Sequence, residues 1–74
     1  MGSMIRAKWH CESVTKNDYH QEIVRFRAAF GPGNEDWSKA TPGGTLEMTI
    51  SNEAAHGKFI PGQDYFSDFN PASA

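Results

Sequence analysis

His10 and Cys11 stand side by side and have the side-chain types of a general base and a thiol nucleophile. Their placement denies them that chemistry, because neighbours on an extended strand point to opposite faces and cannot meet within one chain. Asp64 and Asp68 are the next pair of catalytic type. On a strand they share a face, yet four residues at about 3.3 Å each set them roughly 13 Å apart, too far for a carboxylate dyad and beyond the usual glycosidase pair. Cys11, His10, His20 and His56 lack the paired short spacings of a closed zinc site. The sequence therefore predicts no enzyme, no catalytic residue, no metal and no cofactor.

Thr41-Pro42-Gly43-Gly44 raises the question of a phosphate cradle. The phosphate-binding loop of nucleotide hydrolases needs a lysine and a hydroxyl after its last glycine and then a helix. Here Thr45-Leu46 and an alternating, strand-like run follow instead. The tetrapeptide reads as a type II turn, with proline at the first central position and glycine at the second. A weaker role at an anion stays open, since bare glycines let backbone N–H groups approach it and Lys39 and Thr41 lie beside them.

The elements that must position any site begin with residues 4–14. Ile5, Ala7, Trp9 and Cys11 fall on one face and Arg6, Lys8, His10 and Glu12 on the other, the period of a half-buried strand. After a turn signal at Asn17-Asp18, a second run sets Glu22, Val24, Phe26, Ala28 and Phe30 against Ile23, Arg25 and Arg27. Zipping the runs about Asn17-Asp18 predicts Trp9 opposite Phe26, Cys11 opposite Val24 and Ala7 opposite Ala28, all on one apolar side. The other side then carries Lys8 facing Arg27 and His10 facing Arg25, with Arg6 beside them. Like charges directly opposite are destabilising, so this cationic ladder points to an anion, and phosphate or carboxylate suits the two-pronged geometry of arginine. Arg6, Lys8, Arg25 and Arg27, with Lys39 and Thr41, are the candidate anion-binding residues, and Trp9 and Phe66 the candidate stacking residues. The competing reading is a solvated strand face neutralised by Glu12 and Glu47.

Further along, Gly31-Pro32-Gly33-Asn34 ends the second strand, and Asn34 is predicted to cap a helical turn at residues 35–40 whose Trp37 plugs one end of the core. Leu46, Met48 and Ile50 define a third strand. Ser51 or Asn52 caps a short helix at residues 53–56 that Gly57 stops, and Pro61-Gly62 suits a second type II turn. Residues 63–69 form the last strand, with Tyr65 and Phe69 on one face and Asp64, Phe66 and Asp68 on the other. Phe66 would be exposed in a monomer and reads as an oligomer contact before a ligand stack. The expected class is all-β, or β-rich α+β: a small antiparallel barrel or strongly twisted sheet of four to five strands with one or two single-turn helices. Residues 4–70 form one domain, residues 1–3 read as an expression scar and residues 71–74 as a C-terminal tail.

Seventy-four residues give a small core, and below roughly 70–80 residues such a core rarely supplies more than about 3–5 kcal/mol without a staple. A single cysteine cannot pair within the chain, so self-association is the expected staple and a homo-oligomer the expected state. A net charge of −2 argues against duplex nucleic acid as a partner. The absence of a long apolar stretch or a secretion signal predicts no membrane partner and a reducing cytosol.

The segments RAKWHCESVT and EDWSKATPGGTLEMTISNEAAHGKFIPGQDYFSDFNPA together resemble a group of small uncharacterised tailed-bacteriophage proteins. In that group an Arg-Ala-Lys start is followed by Thr-Pro-Gly-Gly, Asn-Glu-Ala-Ala and a Pro-Gly-x-x-Tyr-x-x-Asp-Phe ending. The resemblance spans nearly the whole chain apart from residues 16–20 and 31–34, and it offers no catalytic residue to carry over. It implies a viral origin and the cytoplasm of an infected bacterial host. Joined to the ladder and the expected oligomer, it leads to an anti-defence sponge that sequesters a phosphate-bearing, nucleotide-derived host immune signal. The alternatives are a protein-interaction module, acting on a host defence enzyme or in virion assembly, and a single-stranded nucleic-acid binder, which the acidic total disfavours.

Overall fold

Four antiparallel strands, β1 (Ile5–Lys16), β2 (Glu22–Ala28), β3 (Thr45–Ile50) and β4 (Asp64–Phe69), lie in one sheet in the order β3-β2-β1-β4. This is the all-β class that the alternating runs predict. The computed structural model describes residues 4–73, and the expression scar expected at residues 1–3 lies outside them. Among the described residues β3 and β4 do not pair, so the sheet is open and not a barrel.

Faces follow the alternation, but partners do not follow the predicted register. Trp9 lies opposite Ala28, His10 opposite Arg27 and Cys11 opposite Phe26, two residues away from the expected pairing. Two local features cause the offset. The turn is longer than a pair centred on Asn17-Asp18: it runs from Asn17 to Gln21, with the Asn17 side chain accepting from the Tyr19 and Gln21 N–H groups at 2.9 and 3.0 Å and His20 in the left-handed region at φ 60°. The second is a bulge between Cys11 and Ser13, where Glu12 is the extra residue. That insertion returns Val14 to the core side, opposite Val24. Because the net shift is even, every predicted face survives while each cross-strand neighbour changes.

The core is one layer of side chains: Ala7, Trp9, Cys11, Val24, Phe26 and Ala28 are buried on one face of the sheet. Its roof is not a second sheet but the two long connections, residues 29–44 and 51–63, which bring Trp37 and Phe59 down onto that face. The molecule is accordingly thin, 39 × 33 × 15 Å. Trp37 stacks on Trp9 with ring centroids 6.4 Å apart, so it does plug the core. Phe30, expected inside, is 68% exposed just past the end of β2.

The first connection substitutes for a strand. Beyond Ala28, β1 has lost its neighbour, and the N–H groups of Lys8 and Arg6 donate instead to the side chains of Asn34 (2.6 Å) and Asp36 (3.0 Å). Asn34 is therefore no helix cap; residues 35–37 make a turn closed by the Trp37 and Ser38 N–H groups on the Asn34 carbonyl, and no helix forms there. The second predicted helix exists as a 3-10 turn, Glu53–Ala55, capped by Asn52. Pro61-Gly62 makes its type II turn, with Gly62 at φ 91° and the Gln63 N–H on the Ile60 carbonyl at 3.1 Å. Thr41-Pro42-Gly43-Gly44 does not turn: neither glycine has a positive φ.

One glycine in the first connection is obligatory. Gly33 sits at φ 124°, and a Cβ there would lie 2.6 Å from Lys8 Cδ and 3.1 Å from Lys8 Cβ. Gly33→Ala is expected to destabilise by about 1–3 kcal/mol, whereas Gly43→Ala, which meets open space, is expected to leave the melting temperature unchanged or slightly raised. Thermal denaturation of the two variants checks both signs.

Candidate functional site

The hairpin of β1 and β2 brings Arg6, Lys8, Arg25 and Arg27 to one face of the sheet, as predicted, but it does not leave them alone there. Arg6 makes a two-pronged contact with Asp68, Nε to Oδ1 at 2.7 Å and Nη2 to Oδ2 at 3.1 Å. Arg25 Nε meets Glu47 at 2.7 Å, Arg27 Nε meets Glu12 at 3.5 Å, and Lys8 Nζ lies 3.8 Å from Asp64. Asp64 also holds His10 Nδ1 at 2.7 Å. The cations sit on the two inner strands, and their carboxylates come from the flanking strands β3 and β4 and from the bulged Glu12.

This overturns the like-charge clash that gave the ladder its chemical meaning. Lys8 does not face Arg27, because the shifted register puts His10 there, and across β4 Lys8 faces Phe66. Four cations meet four carboxylates, so the face is balanced. Lys39 and Thr41 do not join it: they are exposed on the connection that leads to Gly44, and Gly44 lies on the opposite side of the sheet beneath Trp9. Trp9 is only 8% exposed and gives its indole N–H to Ser67 Oγ at 2.8 Å, which removes it as a stacking surface for a base. Phe66 is 60% exposed, with the Arg6 guanidinium 5.3 Å over its ring.

The Arg6–Asp68 pair makes a testable contribution to acid stability. The hydrogen bond from Arg6 holds the Asp68 carboxyl below its ordinary range, helped by the Arg6 charge and opposed by desolvation. A depressed folded-state pKa gives stability that is present above the unfolded value and lost as pH falls through the folded one. Asp68→Asn is expected to flatten the acid limb of melting temperature against pH between about pH 2 and 5 and to leave the slope above it alone. Both groups are solvent-exposed, so the effect is small.

Cys11 is fully buried, and desolvation pushes its thiol pKa up against a backbone hydrogen bond from Ser13. It is held in the form that is a poor nucleophile. Among the described residues no group of three His, Cys, Asp or Glu side chains is placed to hold a metal ion. No helix of the described residues is long and apolar enough to cross a membrane.

Sequence reasoning missed the second surface feature, an apolar groove of about 220 Å³ on the roofed face. It is lined by Ile5, Ala7 and Trp9 of β1, by Phe69 of β4, and by Trp37, Gly43 and Gly44 of the first connection. A Cβ on Gly44 would touch the Trp9 and Trp37 rings at 3.5 and 3.8 Å, so the Thr-Pro-Gly-Gly segment is an extended strap passing close to two indoles. The signal was present in Trp37, an aromatic residue within a polar connection, six positions before a glycine pair.

No family model matches the chain, and neither a curated protein nor a solved structure shows significant similarity to it.

Proposed function

We propose that the protein is a non-enzymatic accessory protein of a tailed bacteriophage that works by binding another protein in the host cytoplasm. The groove carries the reading. Both of its tryptophans are fixed by hydrogen bonds from their indole N–H groups, Trp9 to Ser67 and Trp37 to Asn34 Oδ1, each at 2.8 Å, so the opening exists before anything enters it. Preformed apolar pockets walled by aromatic side chains are where binding energy concentrates at protein interfaces, and this one has room for a large apolar side chain. Its exposed lining residues Ile5 and Phe69 open it to the surface. The self-neutralised opposite face offers no basic stripe to a nucleic-acid backbone, which weighs against the single-stranded nucleic-acid reading.

Gly44→Leu fills the groove from its wall. Crosslinking in infected cells is expected to give a defined partner with the native protein and with Arg25→Glu, on the far face, and to lose it with Gly44→Leu. Retention of the same partner by a folded Gly44→Leu variant would contradict the reading.

A second reading, the nucleotide sponge, is favoured by one observation: Arg6, Lys8, Arg25 and Arg27 share a face, and two of their pairs, Lys8–Asp64 at 3.8 Å and Arg27–Glu12 at 3.5 Å, are loose enough for an incoming phosphate to displace. A thermal shift with cyclic dinucleotides or ADP-ribose derivatives, abolished by Arg27→Glu, is its expected signature. No shift at millimolar ligand removes it.

A further inference from the structure

Strand β3 is an edge with one side of its backbone unspoken for. The Ala28 N–H donates to the Gly44 carbonyl at 2.9 Å, which fixes the phase of the β2–β3 ladder. Leu46, Met48 and Ile50 therefore turn their N–H and C=O groups toward β2, and Thr45, Glu47 and Thr49 turn theirs outward. Among the described residues no segment takes those outward groups. Exposed edges are commonly blunted by proline, a charged side chain or a bulge; β3, TLEMTI, has neither proline nor bulge, and its one charge, Glu47, is paired with Arg25 of its own sheet.

We infer that the protein pairs through β3 with a second copy of itself, antiparallel, about a two-fold axis at Met48. Outward-bonding residues must meet outward-bonding residues, which puts the axis on a residue and leaves four central choices, Leu46, Glu47, Met48 and Thr49. An axis at Leu46 runs the pairing off the Thr45 end of the strand into Gly43 and Gly44. An axis at Glu47 sets two carboxylates directly opposite, which is destabilising. An axis at Thr49 runs the pairing off the strand into Ser51 and Asn52, beyond its Ile50 end. The axis at Met48 pairs Glu47 with the partner's Thr49 and Leu46 with the partner's Ile50, so that no like charges meet and every apolar side chain stays on the core side. The half-buried Leu46, Met48 and Ile50 gain cover, and two four-stranded sheets become one of eight.

The other edge is the more acidic of the two, with Asp64 and Asp68 on its outward-bonding side against the single Glu47 of β3. In β4 the outward-bonding residues are Asp64, Phe66 and Asp68, because the Cys11 N–H on the Gln63 carbonyl fixes the opposite phase for Tyr65 and Ser67. Centred on Phe66, β4 and its copy would set Asp64 against the partner's Asp68 twice; centred on Ser67, the counterpart of Met48 in β3, they would set Asp68 against the exposed Phe66 of the partner, a pair with no complementary charge. Two-fold pairing through β3 uses that edge in both copies at once, so the assembly it builds closes as a dimer. The groove uses none of the residues of β3 itself, so this inference and the proposed function can fail independently.

Sedimentation equilibrium over a range of concentrations tests it, with circular dichroism confirming the fold of each variant. The native chain is expected to pass from 8.2 kDa to twice that mass as concentration rises. Thr49→Lys meets the partner's Glu47 at two symmetry-related positions and is expected to tighten the dimer about three- to tenfold, and Thr49→Glu to loosen it by a similar factor. Thr49→Pro, whose missing N–H faces outward, is expected to be monomeric; should it fail to fold, the two charge variants decide. A native chain that stays at 8.2 kDa at millimolar concentration overturns the inference. So does a mass growing beyond the dimer, the mark of β3-to-β4 pairing, and so does equal weakening by lysine and glutamate, the mark of another register.

Discussion

Asn34→Ala is expected to cost about 3–5 kcal/mol and to leave the chain largely unfolded at room temperature. The Asn34 side chain is 3% exposed and fully engaged. Its Oδ1 accepts from the Lys8 N–H at 2.6 Å and from the Trp37 indole N–H at 2.8 Å, while its Nδ2 donates to the Lys8 and Ala29 carbonyls at 3.0 and 2.9 Å. Alanine strands three of those partners. The Lys8 carbonyl keeps the Ala29 N–H at 3.0 Å, but the Lys8 N–H, the Trp37 N–H and the Ala29 carbonyl lose theirs. Each buried group left unmet costs about 1–3 kcal/mol, so even with partial rescue by water the sum approaches the stability of a chain this size. Asn34→Asp, nearly identical in shape, is expected to be as damaging, because carboxylate oxygens would then face two carbonyls. Asn52→Ala, which removes only a cap on the 3-10 turn, sets the scale of an ordinary loss at about 1 kcal/mol. Urea denaturation of the three variants is the measurement. An Asn34→Ala protein as stable as Asn52→Ala would show that residues 29–36 do not serve as the missing neighbour of β1.

What the sequence reveals and conceals divides along the range of the interaction. Residues 5–11 and 22–28 announce their faces because a strand repeats every two residues, and Pro61-Gly62 announces its turn because proline and glycine fix the two central dihedrals locally. Register was hidden because it depends on two insertions with weak local signatures: Glu12 at the bulge, and a turn that continues through His20 to Gln21. The ladder misled for a different reason. A hairpin considered alone contains the cations, but the carboxylates that meet Arg6 and His10 lie 62 and 54 positions away, on a strand whose place beside β1 no local pattern states. Asn34 shows the same limit in a single residue, since a capping reading assigns its side chain to the nearest N–H groups when its work is done 26 positions back, at Lys8. The groove needed both kinds of information at once: Trp37 from one connection and Phe69 from the last strand.

Phe26→Ala is the other substitution expected to unfold the protein. Phe26 is 3% exposed at the centre of the sheet, and its ring meets Phe59 edge-on at 5.2 Å and Tyr65 at 6.1 Å, with Phe59 and Tyr65 themselves 5.1 Å apart. These three rings fasten the 51–63 connection to β2 and β4, and the Tyr65 hydroxyl completes the fastening by accepting from the Ile60 N–H at 2.9 Å. Truncating a buried phenylalanine costs about 3–5 kcal/mol, and each aromatic pair adds about 0.5–1.5 kcal/mol beyond its buried area. A layer this thin has no second shell of side chains to collapse into the space, so the loss falls at the upper end. Phe59→Ala removes a ring of the same trio from the roof instead of the floor, and its predicted consequence differs in kind. The 51–63 connection should lose its hydrogen-exchange protection, while the amides shared by β1 and β2 keep theirs, because that hairpin retains Trp9, Cys11, Val24 and Phe26. Exchange read residue by residue therefore separates a floor that holds the sheet together from a roof that covers it. Equal and global loss of protection in both variants would mean that sheet and roof fold as one unit.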